Sequence, residues 1–261
     1  MQNEAIIIEN IVKNINDSPI LKNISIKLRK GIIFGLIGPN GAGKTTLIKV
    51  ISNIYEPTSG RIIIFGDCLK KDDFEIKNKM GVIYENNESL FQYLTGIEYL
   101  RFISDIYKID KKTKEKKIDE IILFLDLEDH IDKLIGEYSK GMKTKLAFGS
   151  LLLHQPEIII MDELFDGLDA YTIVKVKKIL KILKNKGTTI LISSHILSYV
   201  EDLCDEVAII NKGQIIYQSA TKEIRNQIKD NVTKETYKSL EEIFIELTTE
   251  KADQEKTLSW L

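Results

Sequence analysis

The stretch GPNGAGKTT, residues 38–46, decides the fold class of this chain. It lies between an apolar run, IIFGLI, and a run with helical spacing, LIKVIS. The pattern G-x-x-x-x-G-K-[ST] binds phosphate when a strand precedes it and a helix follows. Its fixed positions are occupied here by Gly38, Gly41, Gly43, Lys44 and Thr45. We therefore predict a phosphate loop between a strand and a helix.

The chemistry of this loop follows from its residue types. Glycines allow consecutive backbone N–H groups to point inward, and the N-terminus of the following helix attracts anions. Lys44 is expected to reach the β- and γ-phosphates of a nucleotide, and the Thr45 hydroxyl to bind Mg²⁺. The predicted nucleotide contacts extend over the whole stretch: Gly38, Pro39, Asn40, Gly41, Ala42, Gly43, Lys44, Thr45 and Thr46.

A second candidate segment is EIIIMDE, residues 157–163, which places two acids at the end of an apolar strand. Ligands bind at the carboxyl ends of strands in parallel sheets. Asp162 is therefore a candidate for holding Mg²⁺ through water, and Glu163 for polarising an attacking water. The competing interpretation is that the two acids merely begin an exposed helix.

Composition limits the classes of function. The chain has 261 residues, 43% hydrophobic and 29% charged, which is typical of a globular protein. A net charge of −2 gives no support for a nucleic-acid partner. Two isolated cysteines, Cys68 and Cys204, favour a reducing compartment. No signal peptide is visible, and no apolar run approaches the roughly 18 residues that span a bilayer. We expect another chain to supply any membrane crossing.

The order of patterns along the chain predicts an α/β fold. Branched aliphatic runs near the N-terminus indicate strands, and after about residue 90 the spacing becomes helical. Strand character returns at EIIIMDE, TTILISS, EVAIIN and QIIYQS. In the C-terminal part, LEEIFIEL has one apolar helical face. The sequence thus predicts a sheet interrupted by a helical insert.

The segment YSKGMKTKLAFGS, residues 138–150, extends the assignment. Ser139 is placed to cap a long helix, and Gly141 permits close backbone approach. Together with the phosphate loop and the acid pair, the segment resembles the signature of ABC-type ATPases, whose usual form is LSGGQ. The resemblance covers residues 4 to about 220, and the family's motifs occur in the family's order.

The resemblance implies a fold and an assembly. The fold is a mainly parallel core sheet with an antiparallel β-subdomain and an inserted α-helical subdomain. The ATPase domain is expected at 1–220, with the helical subdomain at about 86–150. A C-terminal helical extension is expected at 221–261. The assembly is a head-to-tail dimer, in which ATP lies between one subunit's phosphate loop and the other's signature.

The resemblance also assigns roles to individual residues. Ser139 and the Gly141 backbone are expected to touch the γ-phosphate across the dimer interface. FDGLD, residues 165–169, matches the D-loop, and Asp169 is expected to couple the two sites. His195 matches the histidine that holds the γ-phosphate and attacking water, whereas His130 and His154 are interpreted as structural.

Several positions depart from the family pattern. The position that usually carries a base-stacking aromatic is Ile15, which offers less stacking. Glu85 stands at the usual glutamine position and remains a candidate for Mg²⁺ and water contacts. In the signature, Lys140 replaces glycine and Met142 replaces glutamine. After Glu163, Leu-Phe replaces the common Pro-Thr.

The exporter branch of bacterial ABC ATPases is resembled by YSKGM, Glu85 and the segment LFQYLTGIEYLRFISDIY. The resemblance implies ATP and Mg²⁺ as cofactors, a second ATPase subunit as partner, and separate transmembrane permease subunits. It implies a cytoplasmic protein that is peripheral on the inner face of the membrane. The permease is expected to dock near residues 86–93, where Phe91 and Tyr93 suit a hydrophobic groove or pack within the insert.

Two other functions are compatible with a phosphate loop. One is a soluble ABC ATPase that acts on ribosomes or DNA, although such proteins usually carry two cassettes or long coiled coils, and neither pattern is present. The other is a small-molecule kinase, which leaves the YSKGM segment without a role. Association with membranes, or with ribosomes or DNA, distinguishes the first two.

Overall fold

The fold is built on ten described strands that form two sheets. The structure is a computed structural model and describes residues 3–71, 73–85, 90–221, 223 and 240–248. The strands in chain order are β1 (Glu4–Ile15), β2 (Ser18–Arg29), β3 (Ile33–Ile37), β4 (Ser59–Ile64), β5 (Asp67–Cys68), β6 (Met80–Ile83), β7 (Ile158–Asp162), β8 (Thr189–Ser194), β9 (Glu206–Asn211) and β10 (Gln214–Ala220).

The larger sheet has six strands in the order β10-β9-β3-β8-β7-β6. The pairs β9–β3, β3–β8, β8–β7 and β7–β6 are parallel, and only β10 runs antiparallel to its neighbour. Strand β3 lies near the centre, so the loop that follows it opens between β9 and β8. Because parallel strands end on the same edge, the segments after β3, β6, β7 and β8 converge there.

The parallel sheet is apolar on both faces, as expected when both faces are covered. Every residue of β3 is buried, and its side chains alternate between two hydrophobic cores. Ile33 and Ile37 belong to the core shared with the helical region. Phe34 and Leu36 belong to the core shared with the smaller sheet. This alternation follows from the two-residue period of a strand.

The smaller sheet is antiparallel and has the order β2-β1-β4-β5. Strand β1 pairs with both β2 and β4, and register shifts interrupt both ladders. The hairpin between β1 and β2 turns at Asn16 and Asp17, both with positive φ, a conformation these two residue types tolerate. This sheet covers one face of the parallel sheet.

The helices described in chain order are α1 (Lys44–Ile51), α2 (Phe74–Asn78), α3 (Gly96–Ile106), α4 (Lys111–Phe124), α5 (Lys140–Leu153), α6 (Ala170–Asn185), α7 (Leu197–Leu203) and α8 (Leu240–Thr248), with a 3-10 turn at Ile135–Glu137. Helices α3, α4 and α5 follow one another between β6 and β7 in the sequence. They pack against one another and form the predicted helical insert. A capping box at Thr95 and Glu98 begins α3. The architecture confirms the predicted α/β class with its antiparallel sheet and helical insert.

Some elements differ from the sequence pattern. Helix α1 ends at Ile51, one residue before the end of the run LIKVIS, and Asn53 just beyond it adopts a positive φ of 60°. Ile54 therefore lies beyond the helix with 59% of its surface exposed. Helix α8 has the predicted apolar face, with Leu240 and Ile243 buried in the core shared by the parallel sheet and the helices.

The domain boundaries stay predictions. The expected start of the helical insert, at residues 86–89, lies outside the described residues. So do residue 222 and the ranges 224–239 and 249–261 of the expected C-terminal extension. Within the part of the chain that the structure describes, no helix is both long and apolar enough to cross a membrane.

Candidate functional site

The residues predicted to bind phosphate meet at the carboxyl edge of the parallel sheet. The phosphate loop, residues 38–46, follows β3, while Asp162 ends β7, Glu163 follows β7, and His195 follows β8. Strands β3, β8 and β7 are adjacent, so these segments are adjacent too. Sheet topology thus brings together side chains that are up to 157 residues apart, counted from Gly38 to His195.

The loop conformation requires glycine at several positions. Gly41 and Gly43 have φ values of 78° and 109°, in the region that disfavours residues with a side chain. A Cβ atom at Gly38 would lie 2.3 Å from the backbone oxygen of Ile210, which leaves no room for any other residue. Gly43 also precedes α1 and offers no capping side chain. The backbone of the loop is therefore shaped to present its N–H groups to an anion.

Lys44 is held inside this loop. Its side chain is only 7% exposed, and its Nζ donates to the backbone oxygens of Gly38 at 2.8 Å and Pro39 at 3.3 Å. The same Nζ lies 3.4 Å from Oε1 of Glu163. A buried ammonium in this position supplies a fixed positive charge at the edge of the sheet.

Glu163 connects the loop to the histidine. While Oε1 faces Lys44, Oε2 lies 2.8 Å from Nδ1 of His195 and accepts a backbone N–H bond from His195 at 3.3 Å. Glu163 has a positive φ of 51°, and its own N–H donates to Ser193 Oγ at 3.1 Å. The carboxylate is thus aimed by contacts on both sides, as a general base must be.

Asp162 lies beneath this arrangement and is fully buried. One carboxylate oxygen, Oδ1, accepts a short hydrogen bond from Ser193 Oγ. The other oxygen, Oδ2, is buried without a hydrogen-bond partner among the described residues. A buried carboxylate oxygen without a partner is costly, so it fits a site that a cation or its bound water completes.

A cavity of about 540 Å³ opens over these groups. It brings together most of the residues that the sequence predicted. Its lining comprises Ile20, Asn40, Gly41, Gly43, Lys44, Thr45, Thr46, Glu85, Glu163, Asp166 and His195. Glu85 and Thr45, two of the three predicted metal ligands, line the cavity, and the third, Asp162, lies under it.

Two lining residues were not expected from the sequence. Asp166 lies within the D-loop, residues 165–169, and belongs to the cavity through its position next to Glu163. Ile20 lies on β2, and its backbone oxygen packs so closely on Gly213 that a Cβ there would be 2.2 Å away. Spacing in the sequence gives no signal for Ile20, because the contact depends on how the two sheets meet.

Ile15, the predicted base-stacking position, lies at the end of β1 and pairs with Ser18 across the hairpin. It is 36% exposed and is not among the residues that line the cavity. Its role toward the base stays a prediction. The residues that replace the common Pro-Thr, Leu164 and Phe165, are both buried, and Phe165 packs edge-to-face on Tyr199 at 5.1 Å.

None of the residues of the signature segment, 138–142, lines the cavity, although Lys140 pairs with Asp166, which does. Ser139 begins α5 as predicted, and its Oγ accepts from the Met142 N–H at 3.2 Å. Tyr138 is buried, and its hydroxyl donates to the His130 backbone oxygen at 2.8 Å. Burial raises the pKa of Tyr138 to about 12, which keeps this donor protonated at neutral pH. Ser139 itself is exposed to solvent.

Asp169 caps the next helix. Its carboxylate accepts from the Thr172 N–H at 2.8 Å and from the Thr172 hydroxyl at 2.7 Å. These hydrogen bonds, with the hydroxyl contribution first, lower the pKa of Asp169 to about 2. Asp169 does not line the cavity, so its predicted coupling of two sites stays a prediction.

The other histidines have structural surroundings. His154 stacks on Tyr107 with ring centroids 3.8 Å apart, and burial lowers the pKa of its imidazole. The His130 backbone oxygen accepts from Tyr138 as described above, and its ring lies 3.1 Å from Lys133 Nζ. Neither lines the cavity over the phosphate loop.

A phosphate loop, an acid pair and a histidine at the edge of a mainly parallel sheet define a P-loop nucleotide hydrolase. Comparison with known proteins narrows this class. The sequence profile of the family described as ABC transporter matches residues 21–166. A solved structure described as the ATP-binding subunit of an ABC transporter superposes with a TM-score of 0.83 at 30% identity, covering 94% of this chain and 100% of that chain.

Similar proteins of known sequence are also named as ATP-binding proteins of this kind. The linearmycin resistance ATP-binding protein LnrL of Bacillus subtilis (strain 168) is 33% identical over 238 residues, covering 91% of this chain and 76% of that protein. The bacitracin transport ATP-binding protein BcrA of Bacillus licheniformis is 40% identical over 195 residues, covering 74% of this chain and 62% of that protein. The chain belongs to the ABC transporter family, as one of its ATP-binding subunits, and is an ATPase of that family.

Proposed function

We propose that this subunit hydrolyses ATP in a head-to-tail dimer and thereby drives export through separate membrane subunits. The observation that carries the proposal is that the signature segment does not line the cavity of its own subunit. Lys44, Glu163 and His195 line one cavity, whereas none of residues 138–142, all of them described, contributes to it. An exposed, capped helix start at Ser139 is left to act on another subunit's nucleotide.

The roles of the cavity residues follow from their contacts. Lys44 and the loop N–H groups bind the β- and γ-phosphates, so the phosphate oxygens replace Glu163 as partners of the ammonium. Glu163 orients an attacking water and accepts its proton. His195, held by Glu163, donates a hydrogen bond to the γ-phosphate. Ser139 and the Gly141 backbone of the second subunit stabilise the same phosphate.

The residues that suit a metal are Thr45, Glu85 and Asp162. The unpartnered Oδ2 of Asp162 supports this assignment, since oxygen ligands suit Mg²⁺. When bound, Mg²⁺ supplies charge neutralisation for the phosphates. Asp162 would hold the cation directly or through water, and Ser193 fixes the orientation of its carboxylate through Oδ1.

The aromatic surface after Glu85 is proposed as the docking site of the membrane subunit. Tyr93 is 93% exposed and Phe91 is 51% exposed. Phe91 packs edge-to-face against Phe102, which is itself 41% exposed, at 5.4 Å. Phe91 and Tyr93 therefore form an exposed aromatic surface, which suits contact with a helix that has an apolar face. Residues 86–89 of the expected docking segment lie outside the described residues.

Transport, in preference to action on ribosomes or DNA, is supported by the relatives, which are named for bacitracin transport and linearmycin resistance. Resistance is consistent with export of the compound. We infer a peripheral position on the inner face of the membrane, where ATP is present. The proposed substrate class is an antibiotic, peptide or similar exported compound.

The test combines the Glu163→Gln variant with ATP and Mg²⁺. We expect nucleotide binding to remain and turnover to fall by about 100-fold or more, because the base is removed. The variant should accumulate as a dimer, measured by light scattering. Glu128→Gln, the same change at an exposed acid, is the control and should hydrolyse ATP normally.

Two outcomes contradict separate parts of the proposal. Unchanged hydrolysis in Glu163→Gln removes Glu163 from the base role. A monomer at saturating ATP contradicts the shared site. For the membrane partner, purification of the full complex should recover a protein with several apolar segments of about 20 residues, and recovery of ribosomes or DNA instead would overturn the transport assignment.

A further inference from the structure

The start of α5 and the D-loop of the same subunit are in close contact. A Cβ atom at Gly141 would lie 2.5 Å from the Gly167 backbone oxygen, so the two backbones touch. Gly167 has a positive φ of 82°, and a Cβ there would lie 3.2 Å from Cγ of Lys140. The aliphatic stem of Lys140 therefore lies along the D-loop.

Charge reinforces this contact. The Lys140 ammonium forms an ion pair with Oδ2 of Asp166, and this contact lowers the pKa of that carboxyl below its usual value. One helical turn further, Lys145 Nζ lies 3.7 Å from Oδ2 of Asp169. Two of the three lysines of α5, Lys140 and Lys145, thus face acids of the D-loop.

The two partners of the first pair belong to different functional surfaces. Asp166 lines the cavity over the phosphate loop together with Glu163 and His195. Lys140 lies in the signature segment, between Ser139 and Gly141, at a position where the usual signature has glycine. Glycine has no side chain, so the ion pair is a feature of this chain rather than of the usual pattern.

We propose that Lys140 is a positioning residue, which fixes the signature segment against the D-loop of its own subunit through Asp166. The inference rests on the proposed dimer, in which the signature acts on the partner subunit's nucleotide. The pair then joins a subunit's own site, where Asp166 lies, to the site that its Ser139 completes. Ordering of one site therefore sets the geometry that is offered to the other.

A simpler role for Lys140 makes a different prediction. Asp166 is a carboxylate beside a cavity that accepts phosphates, so Lys140 could act only as its counter-charge. In that case, removing Lys140 weakens ATP binding, and neutralising Asp166 in addition restores ATP binding. If Lys140 positions the signature, its removal lowers turnover, and neutralising Asp166 does not restore turnover because the link is still absent.

The experiment measures kcat and KM for ATP hydrolysis in Lys140→Met, Lys140→Arg, Asp166→Asn and the double variant Lys140→Met/Asp166→Asn. We expect kcat to fall by about five- to tenfold in Lys140→Met, a coupling of ordinary size for residues in contact. Lys140→Arg should restore kcat, since it keeps the cation, and the double variant should not. Nucleotide affinity, measured by titration of ATP in a Glu163→Gln background, should change less than kcat.

The control is Lys116→Met on α4. Lys116 pairs with Glu120 at 3.9 Å, and both side chains are exposed, so the variant removes a surface ion pair outside the signature. It should leave kcat unchanged. An unchanged kcat in Lys140→Met, or a kcat restored by Asp166→Asn, overturns the inference while leaving the dimer intact. Absence of an ATP-dependent dimer in Glu163→Gln overturns the proposed function as well.

Discussion

Two helices of this protein begin at segments predicted to meet phosphate, and their first turns are finished differently. Helix α1 follows Gly43, which has no side chain with which to cap it. Helix α5 follows Ser139, whose hydroxyl caps the Met142 N–H. The first turn of α1 is therefore left for an anion to complete, whereas in α5 one of the free N–H groups, that of Met142, is already bound by Ser139.

The surroundings of the two helix starts differ in the same direction. Lys44 is nearly buried, and Glu163 and His195 lie over it in one cavity. Ser139 and Lys140 are exposed, and their segment packs against the D-loop backbone at Gly167. In the proposed dimer, the phosphate-binding half of the site would thus be complete within one subunit, and the signature half would face the partner.

The largest effect is expected at the complete half. Lys44→Ala removes the buried cation, and a lost hydrogen bond between charged groups costs up to about 3 kcal/mol, or roughly 100-fold in affinity. We expect ATP binding by the separate subunit to be lost on this scale, measured by fluorescent-nucleotide titration. Lys49→Ala, on the same helix, should bind normally. Normal binding by Lys44→Ala would show that the two helix starts do not differ as the geometry indicates.

The next effect is expected where the signature half is supported. Gly141→Ala places a Cβ 2.5 Å from the Gly167 oxygen, so the segment or the D-loop must move. A shift of this kind costs turnover by about 10- to 100-fold when the moved group contacts the reacting phosphate. Steady-state hydrolysis measures it, with Lys143→Ala as a control. Because the phosphate loop is unchanged, the ATP affinity of the isolated subunit should stay within about twofold of the unsubstituted value. A large loss of ATP affinity would show that the signature and the phosphate loop do not act as separate parts of the site.

A smaller effect is expected from the cap of α5. Ser139→Ala should lower the free energy of unfolding by about 1 kcal/mol, the usual worth of an N-cap. In the Glu163→Gln background it should also weaken the ATP-dependent dimer, measured by analytical ultracentrifugation. Ser139→Thr keeps a capping hydroxyl and should restore stability. An unchanged dimer affinity in Ser139→Ala would assign Ser139 to the helix alone.

The smallest effect is a pH dependence at the D-loop. Hydrogen bonds from Thr172 lower the pKa of Asp169 to about 2, below the unfolded value of about 3.9. A depressed folded pKa stabilises the folded state above about pH 4, and this contribution is lost as the pH falls toward 2. The side chain is 58% exposed, so we expect less than about 1 kcal/mol.

Denaturant unfolding from pH 7 downward tests this dependence. Asp169→Asn keeps a capping oxygen at every pH, so it should match the unsubstituted protein at pH 7 and become relatively more stable below about pH 4. Parallel curves for the two proteins would contradict the role of the Asp169 carboxylate in capping α6.

The sequence predicted those parts of the site that lie within one continuous segment. The phosphate loop is a single run of residues in which glycine spacing and one lysine define the backbone, and the structure places it between β3 and α1 as expected. The acid pair was predicted for the same reason, because Asp162 ends an apolar strand and Glu163 directly follows it. Ser139 was predicted as a cap from its position before a helical run.

Other features could not be predicted because they join distant segments. Ile20 lines the cavity only because β2 packs against the turn at Gly213. Asp166 pairs with Lys140 only because α5 and the D-loop touch at two glycines. The positive φ of Glu163, which aims its carboxylate between Lys44 and His195, is also invisible in the residue types around it.

The division has a physical basis. Local patterns of apolar spacing, glycine and capping residues act over a few residues, so the sequence alone determined the strands, the loop and the type of phosphate chemistry. Other features depend on contacts between segments far apart in the chain. They are the convergence of β3, β7 and β8, the ion pair from Lys140 to Asp166, and the position of the signature outside the cavity lining. Those contacts depend on the burial of whole sheets and helices, so they become apparent only in the folded chain.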